Sequence, residues 1–456
     1  MEIKEVVEKQ RALFETNITK DVSHRIKLLK LLKKNIIEMQ DEIFEALKTD
    51  LGKSETESYM AEVGMVLSEL SHTIKRLKHW AKPDRKPTPI TNLGAASYIT
   101  YEPYGVVLII APWNYPFLLS MDPLIGAVCA GNCVVLKPSK EAPNVGRVIN
   151  KIVDKTFIPN HVYVMQGSSY ANQVILEQKY DYIFFTGGKK VGKIVATKAM
   201  ETFTPVSLEL GGKSPCIIDE SCNLELSARR LAFGKFLNCG QTCIAPDYCL
   251  VQKSIKKQFI ELLKEEVIKM FGENPLNNPD YGKIINQSQF DWLNKLIIPQ
   301  KVVLGGQSDK NSLKIQPTIM DNVSLDDLVM QDEIFGPILP IVEFETIEEA
   351  IAIIKKYPKP LALYLFANNK AVQKTILTNI SFGGGCINDC IMHIANLNLP
   401  FGGVGESGMG RYHGKESFLT FSNVRSVIKK YNWIDLPLRY QPYTKLKNKL
   451  IKKFMK

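Results

Sequence analysis

Between Asp21 and Leu47 the apolar residues Ile26, Leu29, Leu32, Ile36, Ile37, Ile43, Phe44 and Leu47 recur at steps of mostly three, four or seven. That spacing lines them up on one face, so the stretch predicts amphipathic helices. The texture changes after Ala96, where Ser97-Tyr98-Ile99-Thr100-Tyr101 is rich in β-branched and aromatic residues and predicts a strand. Short apolar runs then alternate with helical stretches, at residues 106–110, 133–136, 162–165, 182–185, 206–210 and 215–218. Further runs follow at 248–251, 302–304, 338–344 and 361–366. They are continuous rather than alternating, and amphipathic helices such as 255–270 separate them, as expected of parallel strands covered on both faces. The fold class is therefore α/β. No internal repeat or flexible linker cuts the chain cleanly, so any domains are expected to interleave.

Composition narrows the field. A chain of 456 residues suggests two or three domains at roughly 150 residues each. With 45% apolar and 23% charged residues it is too apolar for a disordered chain and has no collagen-like bias. The longest apolar stretches, 106–113 and 361–367, fall far short of the roughly 20 residues that span a bilayer. The first ten residues are charged throughout and lack an apolar signal core, so a cytoplasmic location is expected. Nine cysteines include the i,i+4 pairs Cys129/Cys133, Cys239/Cys243 and Cys386/Cys390, with no CxxC and no histidine read at a zinc-site spacing; reduced thiols are the expectation.

The formal charge of +11 raises nucleic acid, but its distribution argues otherwise. Residues 429–456 carry nine Lys or Arg against Asp435 alone, a net +8, leaving +3 for the other 428 residues. The body is near neutral and no nucleic-acid partner is expected. In the basic tail, Leu446, Leu450, Ile451 and Phe454 share a helical face bordered by Lys445, Lys447, Lys449, Lys452, Lys453 and Lys456. Such a helix suits an anionic membrane surface, although a solvated, partly disordered tail is the plainer reading.

Two glycine motifs mislead. Gly403-Val404-Gly405-Glu406-Ser407-Gly408 satisfies GxGxxG, yet no strand leads into it and no acidic residue lies about 20 positions on. Gly187 to Lys193 nearly completes a Walker A loop, but Ile194 stands where a magnesium-holding Ser or Thr belongs. That segment does follow the strand-like run 182–185 and open a helix, so its amides could face a phosphate, or it is a plain glycine turn. Candidate chemistry lies in Cys243 within Asn238-Cys239-Gly240-Gln241-Thr242-Cys243, Glu209 at the end of an apolar run beside Gly211-Gly212, and Asn114 just past another run. Strand carboxyl ends are where open α/β sheets place ligands.

With these residues in place the chain resembles the aldehyde dehydrogenase superfamily, most closely its class 3 branch, from about residue 5 to about 430. The resemblance rests on Pro112-Trp113-Asn114-Tyr115-Pro116, Lys137-Pro138-Ser139, Phe185-Thr186-Gly187, Leu208 to Lys213, Gly240 to Cys243, Glu333-Ile334-Phe335-Gly336-Pro337 and Pro400-Phe401-Gly402-Gly403. The run Glu406 to Lys415 is similar to the class 3 ending. It implies NAD(P)-dependent oxidation of an aldehyde to a carboxylic acid, with Cys243 as nucleophile, Asn114 and the Cys243 amide as oxyanion donors, and Glu209 activating the water that hydrolyses a thioester. For NAD or NADP it implies Lys137 at the adenosine ribose, Glu333 at the nicotinamide ribose, Phe335 near the nicotinamide, Gly187 to Gly192 beneath the pyrophosphate and Val191 against the adenine. The implied fold is two interleaved open-sheet α/β domains with a small β-arm: nucleotide-binding 1–81 and 105–206, catalytic 207–415, arm 82–104 and 416–430, then the basic tail 431–456. Such an arm implies a homodimer.

Departures are informative. Lys140 follows Lys-Pro-Ser where class 3 relatives commonly carry Glu; a lysine there favours a 2′-phosphate, so NADP should be accepted at least as well as NAD. Gly188 stands where relatives often have Ser. Cys239 is placed to share a helix face with Cys243, as packing or as an oxidisable partner. Two rivals stay open: a coenzyme A-acylating dehydrogenase, against which Glu209 argues, and a scaffold that keeps only the fold.

Overall fold

The computed structural model describes residues 2–167 and 174–455. The helical region resolves into Val22–Glu38 and Gln40–Leu51, broken at Met39, whose φ of −111° and ψ of 18° leave the helical basin. Asp21 caps the first of these by accepting the His24 amide at 2.7 Å, satisfying one of the free donors of its first turn.

Three sheets organise the chain. The first runs Gly408–Met409, Val206–Glu209, Tyr182–Thr186, Val106–Ile110, Cys133–Lys137, Val162–Val164, parallel except for the first of these strands. The second runs Val302–Leu304, Thr318–Met320, Ile338–Phe344, Tyr248–Gln252, Pro215–Ile218, Ala362–Phe366, Gly384–Ile387, parallel except at the Val302–Leu304 edge. Asp84–Lys86, Ala95–Pro103 and Ser422–Lys430 form a small antiparallel sheet. The strand Gly408–Met409 crosses back to the first sheet from a region otherwise continuous with the second, so the two α/β units interleave.

Continuous apolar runs are needed because both faces of each sheet are covered. Val106 and Leu108 join the cluster holding Ile3, Val6 and Val7 of the N-terminal helix Ile3–Glu15, with Val195 and Ala199 of Lys189–Met200. Val107 and Ile109 point the other way, into the cluster built on helices Leu118–Ala130 and Pro143–Thr156. That second cluster also contains Cys216, Ile218, Cys249 and Tyr364 of the other sheet, so one apolar core bridges the two units. Each buried Val, Leu or Ile contributes about 1.5–3 kcal/mol, which makes this shared core the main restraint on how the sheets face each other.

The GxGxxG segment is a packing element. Gly408 pairs with Glu209, and the Leu210 amide donates to the Ser407 carbonyl at 3.1 Å. The basic tail contains the helix Lys445–Phe454, capped by Thr444. It lies over the turn at Ile90 to Leu93, with Ile451 and Phe454 lining the groove between them. Lys456 is outside the described residues. No helix among the described residues is long and apolar enough to cross a membrane.

Candidate active site

Four parallel strands of the first sheet end level with one another: Ile110 pairs with both Lys137 and Phe185, and Thr186 pairs with Glu209. Lys137, Gly187, Glu209 and the loop carrying Asn114 therefore collect along one carboxyl edge, where the sheet opens into a crevice. Lys137 is buried, and its ammonium donates to the Pro138 carbonyl at 3.0 Å; burial, with Lys140 nearby, holds its pKa below the usual lysine value. Gly188 precedes the helix Lys189–Met200, no side chain caps that end, and Gly187 and Gly188 line the crevice, so the helix end suits an anion there. Gly192 is buried against Leu210, a packing role, while Val191 is half exposed on the outer face of the same turn. Lys140 lies further out, ion-paired with Glu141 at 3.6 Å.

Cys243 reaches the same place from the second sheet, in the loop between the turn Leu237–Gly240 and the strand Tyr248–Gln252. Asn238, Cys239 and Gly240 take φ of 51°, 53° and 70°, a left-handed run that only Gly, and to a lesser degree Asn, adopts cheaply. Gly240 has a second constraint, because any side chain there would collide with the Gly336 carbonyl. Of the two readings of Cys239, packing is the one this turn supports, since it carries no helix face from Cys239 to Cys243. Cys239 is buried against Tyr281 and Gly282 in the core of the second unit, whereas Cys243 borders the open cavities. The spacing is i,i+4, but the backbone between is not helical.

Two cavities meet at the thiol. One, of about 210 Å³, is lined by Met60, Met65, Tyr115, Phe233, Phe401 and Tyr412 among other apolar residues. The other, of about 270 Å³, is lined by Trp113, Asn114, Gly187, Gly188, Glu333 and Phe335. Leu119, Thr186, Glu209 and Cys243 border both. Asn114 donates from Nδ2 to the Gln241 carbonyl at 3.0 Å, and Tyr115 and Thr242 share a hydroxyl hydrogen bond at 2.7 Å. The Gln241 side chain in turn bonds the Asn238 and Lys283 carbonyls and the Ile285 amide, at 3.1, 3.0 and 3.0 Å.

Glu209 is 3% exposed, and neither carboxylate oxygen has a hydrogen-bond partner in the protein. Burial raises its pKa well above the usual carboxylate value, and Arg411 only partly offsets this. Burial likewise pushes up the Cys243 thiol, with the Glu333 and Glu209 carboxylates adding to the effect. Glu333 rests against Gly211, where a side chain would strike its carboxylate. Burial and the nearby Asp247 push Glu333 up to about 8. The segment carrying it is held by a buried ion pair that residue types alone do not reveal. Lys213 Nζ contacts Asp247 Oδ2 at 2.6 Å and the Asp332 carbonyl at 2.9 Å, and Asp247 Oδ1 accepts the Ile334 amide at 2.9 Å. Phe335, at φ 52°, meets Trp113 edge to face at 5.3 Å between ring centroids.

Several lining residues carry no sequence signal at all, notably Met60, Met65, Phe233 and Trp292, which come from separate helices. At the far end of the second sheet, His393 brings Nδ1 to 3.6 Å from the Cys386 thiol, so a histidine does lie beside one cysteine pair. No group of three metal-ligating side chains occurs among the described residues.

Two mostly parallel sheets that face each other across a part-buried thiol, at the meeting of two cavities, are the architecture of an NAD(P)-linked oxidoreductase of the aldehyde dehydrogenase type. The chain belongs to the aldehyde dehydrogenase family, whose sequence profile matches residues 1–427. It is 47% identical over 448 residues to the 4,4'-diaponeurosporen-aldehyde dehydrogenase of Staphylococcus aureus, covering 98% of this chain and 97% of that one. It is 45% identical over 428 residues to the dimeric NADP-preferring aldehyde dehydrogenase of Rattus norvegicus, covering 94% of each. The fold matches a substrate-bound Staphylococcus aureus AldH with a TM-score of 0.98 at 46% identity, over 100% of this chain and 99% of that one. It matches an indole-3-acetaldehyde dehydrogenase complexed with NAD+ at 0.85 and 26% identity, over 93% and 88%. Its reaction is the NAD(P)-dependent oxidation of an aldehyde.

The unpartnered Glu209 has a stability signature. Its folded pKa lies above the ordinary 4.5, so above that pH the folded state retains a proton that unfolding releases, and stability falls as pH rises towards the folded value. Each unit between the two values is worth about 1.4 kcal/mol. Glu209→Gln removes this loss, so its thermal midpoint should exceed that of the unsubstituted protein by more at pH 8 than at pH 5. Equal differences at the two pH values contradict it.

Proposed function

We propose that Cys243, Asn114 and Glu209 carry the reaction, and that it ends in hydrolysis. The observation that carries this reading is the junction at which the thiol and the unpartnered carboxylate border both an apolar cavity and the crevice. The Cys243 thiol gives its proton to water in the cavities, and the thiolate attacks the aldehyde carbon, forming an S–C bond and moving the carbonyl electron pair onto oxygen. That oxyanion is bound by the Cys243 backbone amide and by Asn114 Nδ2, whose second N–H is free while the first holds Gln241. NAD(P)+ bound in the crevice supplies the hydride acceptor, which leaves a thioester on Cys243. Glu209 takes a proton from water, the hydroxide oxygen attacks the thioester carbon, and the C–S bond breaks to release the acid. A carboxylate bordering both cavities beside the thiol offers a base for water, which argues for hydrolysis over transfer to coenzyme A.

The residues present fit the dinucleotide. The uncapped helix end at Gly187 and Gly188 suits the pyrophosphate, Glu333 and Phe335 in the crevice suit the nicotinamide ribose and ring, and Lys137 and Val191, outside that lining, suit the adenosine end, with Gly192 packing the helix against Leu210. We expect acid to form without coenzyme A, and Cys243→Ala to abolish NAD(P)H formation while still quenching on dinucleotide binding. Turnover surviving in that variant, or a strict requirement for coenzyme A, rules the scheme out.

Lys140 is proposed to favour NADP by attracting the 2′-phosphate, and the NADP-preferring rat relative is in keeping with this. Lys140→Glu should shift the ratio of kcat/KM for NADP over NAD towards NAD by about tenfold, since one reversed ionic contact is worth on the order of 1–1.5 kcal/mol. An unchanged ratio rejects the role.

The chain is proposed to work in the cytoplasm as a homodimer. All nine cysteines are free, as suits a reducing compartment. The nine-residue edge strand Ser422–Lys430 exposes Val424 and Ile428, a surface a second copy can cover. The apolar cavity favours lipophilic aldehydes, and the Staphylococcus aureus relative is named for such a compound. The tail helix exposes Leu446 amid lysines, which fits a weak contact with an anionic membrane surface. Co-sedimentation with phosphatidylserine vesicles at low salt should disappear at high salt and on deleting residues 444–456; binding indifferent to the deletion rejects this contact.

A further inference from the structure

The densest buried charge in the protein lies beneath the Asn114 loop. Lys53 and Glu62 form an ion pair at 2.5 Å in which both side chains are fully buried. Ion pairs so deeply desolvated are kept only where hydrogen bonds satisfy the remaining atoms, and here they do so at a specific place. Glu62 Oε2 accepts the Phe117 and Leu118 amides at 2.8 and 3.1 Å, at the start of the helix Leu118–Ala130. Lys53 Nζ donates to the Asn114 carbonyl at 3.0 Å and lies 4.1 Å from the centre of the Tyr115 ring. Glu62 itself sits in Tyr59–Val63, a π-helical turn, a rare element found mostly at functional sites.

The same Asn114 carbonyl has a second donor from the opposite side. Asn238 Nδ2, in the left-handed turn that presents Cys243, donates to it at 2.8 Å and also to the Gln241 carbonyl at 3.2 Å. One carbonyl with two lone pairs thus takes one hydrogen bond from the helical layer and one from the cysteine turn. Its own side chain returns the connection, because Asn114 Nδ2 donates to the Gln241 carbonyl. Backbone and side chain of Asn114 are thus both held, and the residue lines the same crevice as Cys243 with one amide N–H outside these bonds.

We propose that Lys53 and Asn238 are positioning residues for the oxyanion-binding amide of Asn114, acting through their shared acceptor, the Asn114 carbonyl. The inference rests on the oxyanion role given to Asn114 above. It explains why a lysine and a glutamate are kept fully buried where an apolar pair of the same size would pack.

The test is a set of double-mutant cycles on the full-length enzyme. Lys53→Met/Glu62→Gln removes both charges at nearly constant volume, a change buried pairs often tolerate. Asn114→Ala should lower kcat by about 10²–10³-fold. The paired variant should lower kcat by about tenfold or more, as displacement of a catalytic amide does, with KM for the dinucleotide within about twofold. Combined with Asn114→Ala it should lower kcat no further than Asn114→Ala alone, because the group being positioned is already gone. Should the paired variant fail to give a folded protein by circular dichroism, Asn238→Gly decides by the same criteria, since glycine keeps the left-handed backbone and loses only the amide. Losses that multiply with Asn114→Ala, or an unchanged kcat in the folded variant, overturn the proposal. A normal kcat in Asn114→Ala itself overturns instead the oxyanion reading on which it rests.

Discussion

A hydrogen bond of 3.0 Å from Asn114 Nδ2 to the Gln241 carbonyl joins the loop that leaves one sheet to the turn that delivers the thiol of the other. Everything chemical in the protein is arranged across that bond. On one side stand the level carboxyl ends of the strands bearing Lys137, Thr186 and Glu209; on the other, three successive left-handed residues redirect the chain so that Cys243 meets them. The shared apolar core fixes the distance between the sheets, and the polar bonds at the seam fix the angle of the two functional loops. A packing change of about an ångström at this seam would cost activity before it cost stability.

Burial is used in two opposite ways around this seam. Lys53 with Glu62, and Lys213 with Asp247, are buried charges whose atoms are all engaged, and they hold backbone segments in place. Glu209 is as deeply buried but bonds to nothing, and Glu333 and Cys243 are pushed up in pKa by the same exclusion of water. Satisfied charges make scaffold; unsatisfied ones hold protons reluctantly released and are available for chemistry.

Much of this was legible in the sequence. The strands Pro215–Ile218 and Ile338–Phe344 have the bounds their apolar runs suggest, because burial on both faces leaves no polar interruption. Glu209 and Asn114 could be placed at strand ends for the same reason, whereas Cys243 lies in a loop and stood out through its motif. What stayed hidden was local backbone conformation: i,i+4 spacing left Cys239 either as packing or as a neighbour of Cys243 on one helix face, and three positive φ values cannot be read from spacing. The strand Ser422–Lys430 was visible only as part of an arm, since its mixture of Val, Ile, Arg and Lys reflects an exposed edge rather than a core run. Lys53 and Glu62 looked like two ordinary charges in a helical region, because nothing local says that Asn114 lies above them. The apolar cavity draws on Met60, Phe233 and Phe401, segments joined only by the fold.

The central claim is that an acyl group resides on one sulfur during turnover. Acid-quenched mass spectrometry of Glu209→Gln, mixed with a medium-chain aldehyde and NADP+, tests it most directly. The account predicts a mass increase equal to the acyl group on the peptide containing Cys243, formed at the rate of NADPH release and sensitive to hydroxylamine. An unmodified Cys243 while NADPH is produced, or the acyl group on another cysteine, would contradict it.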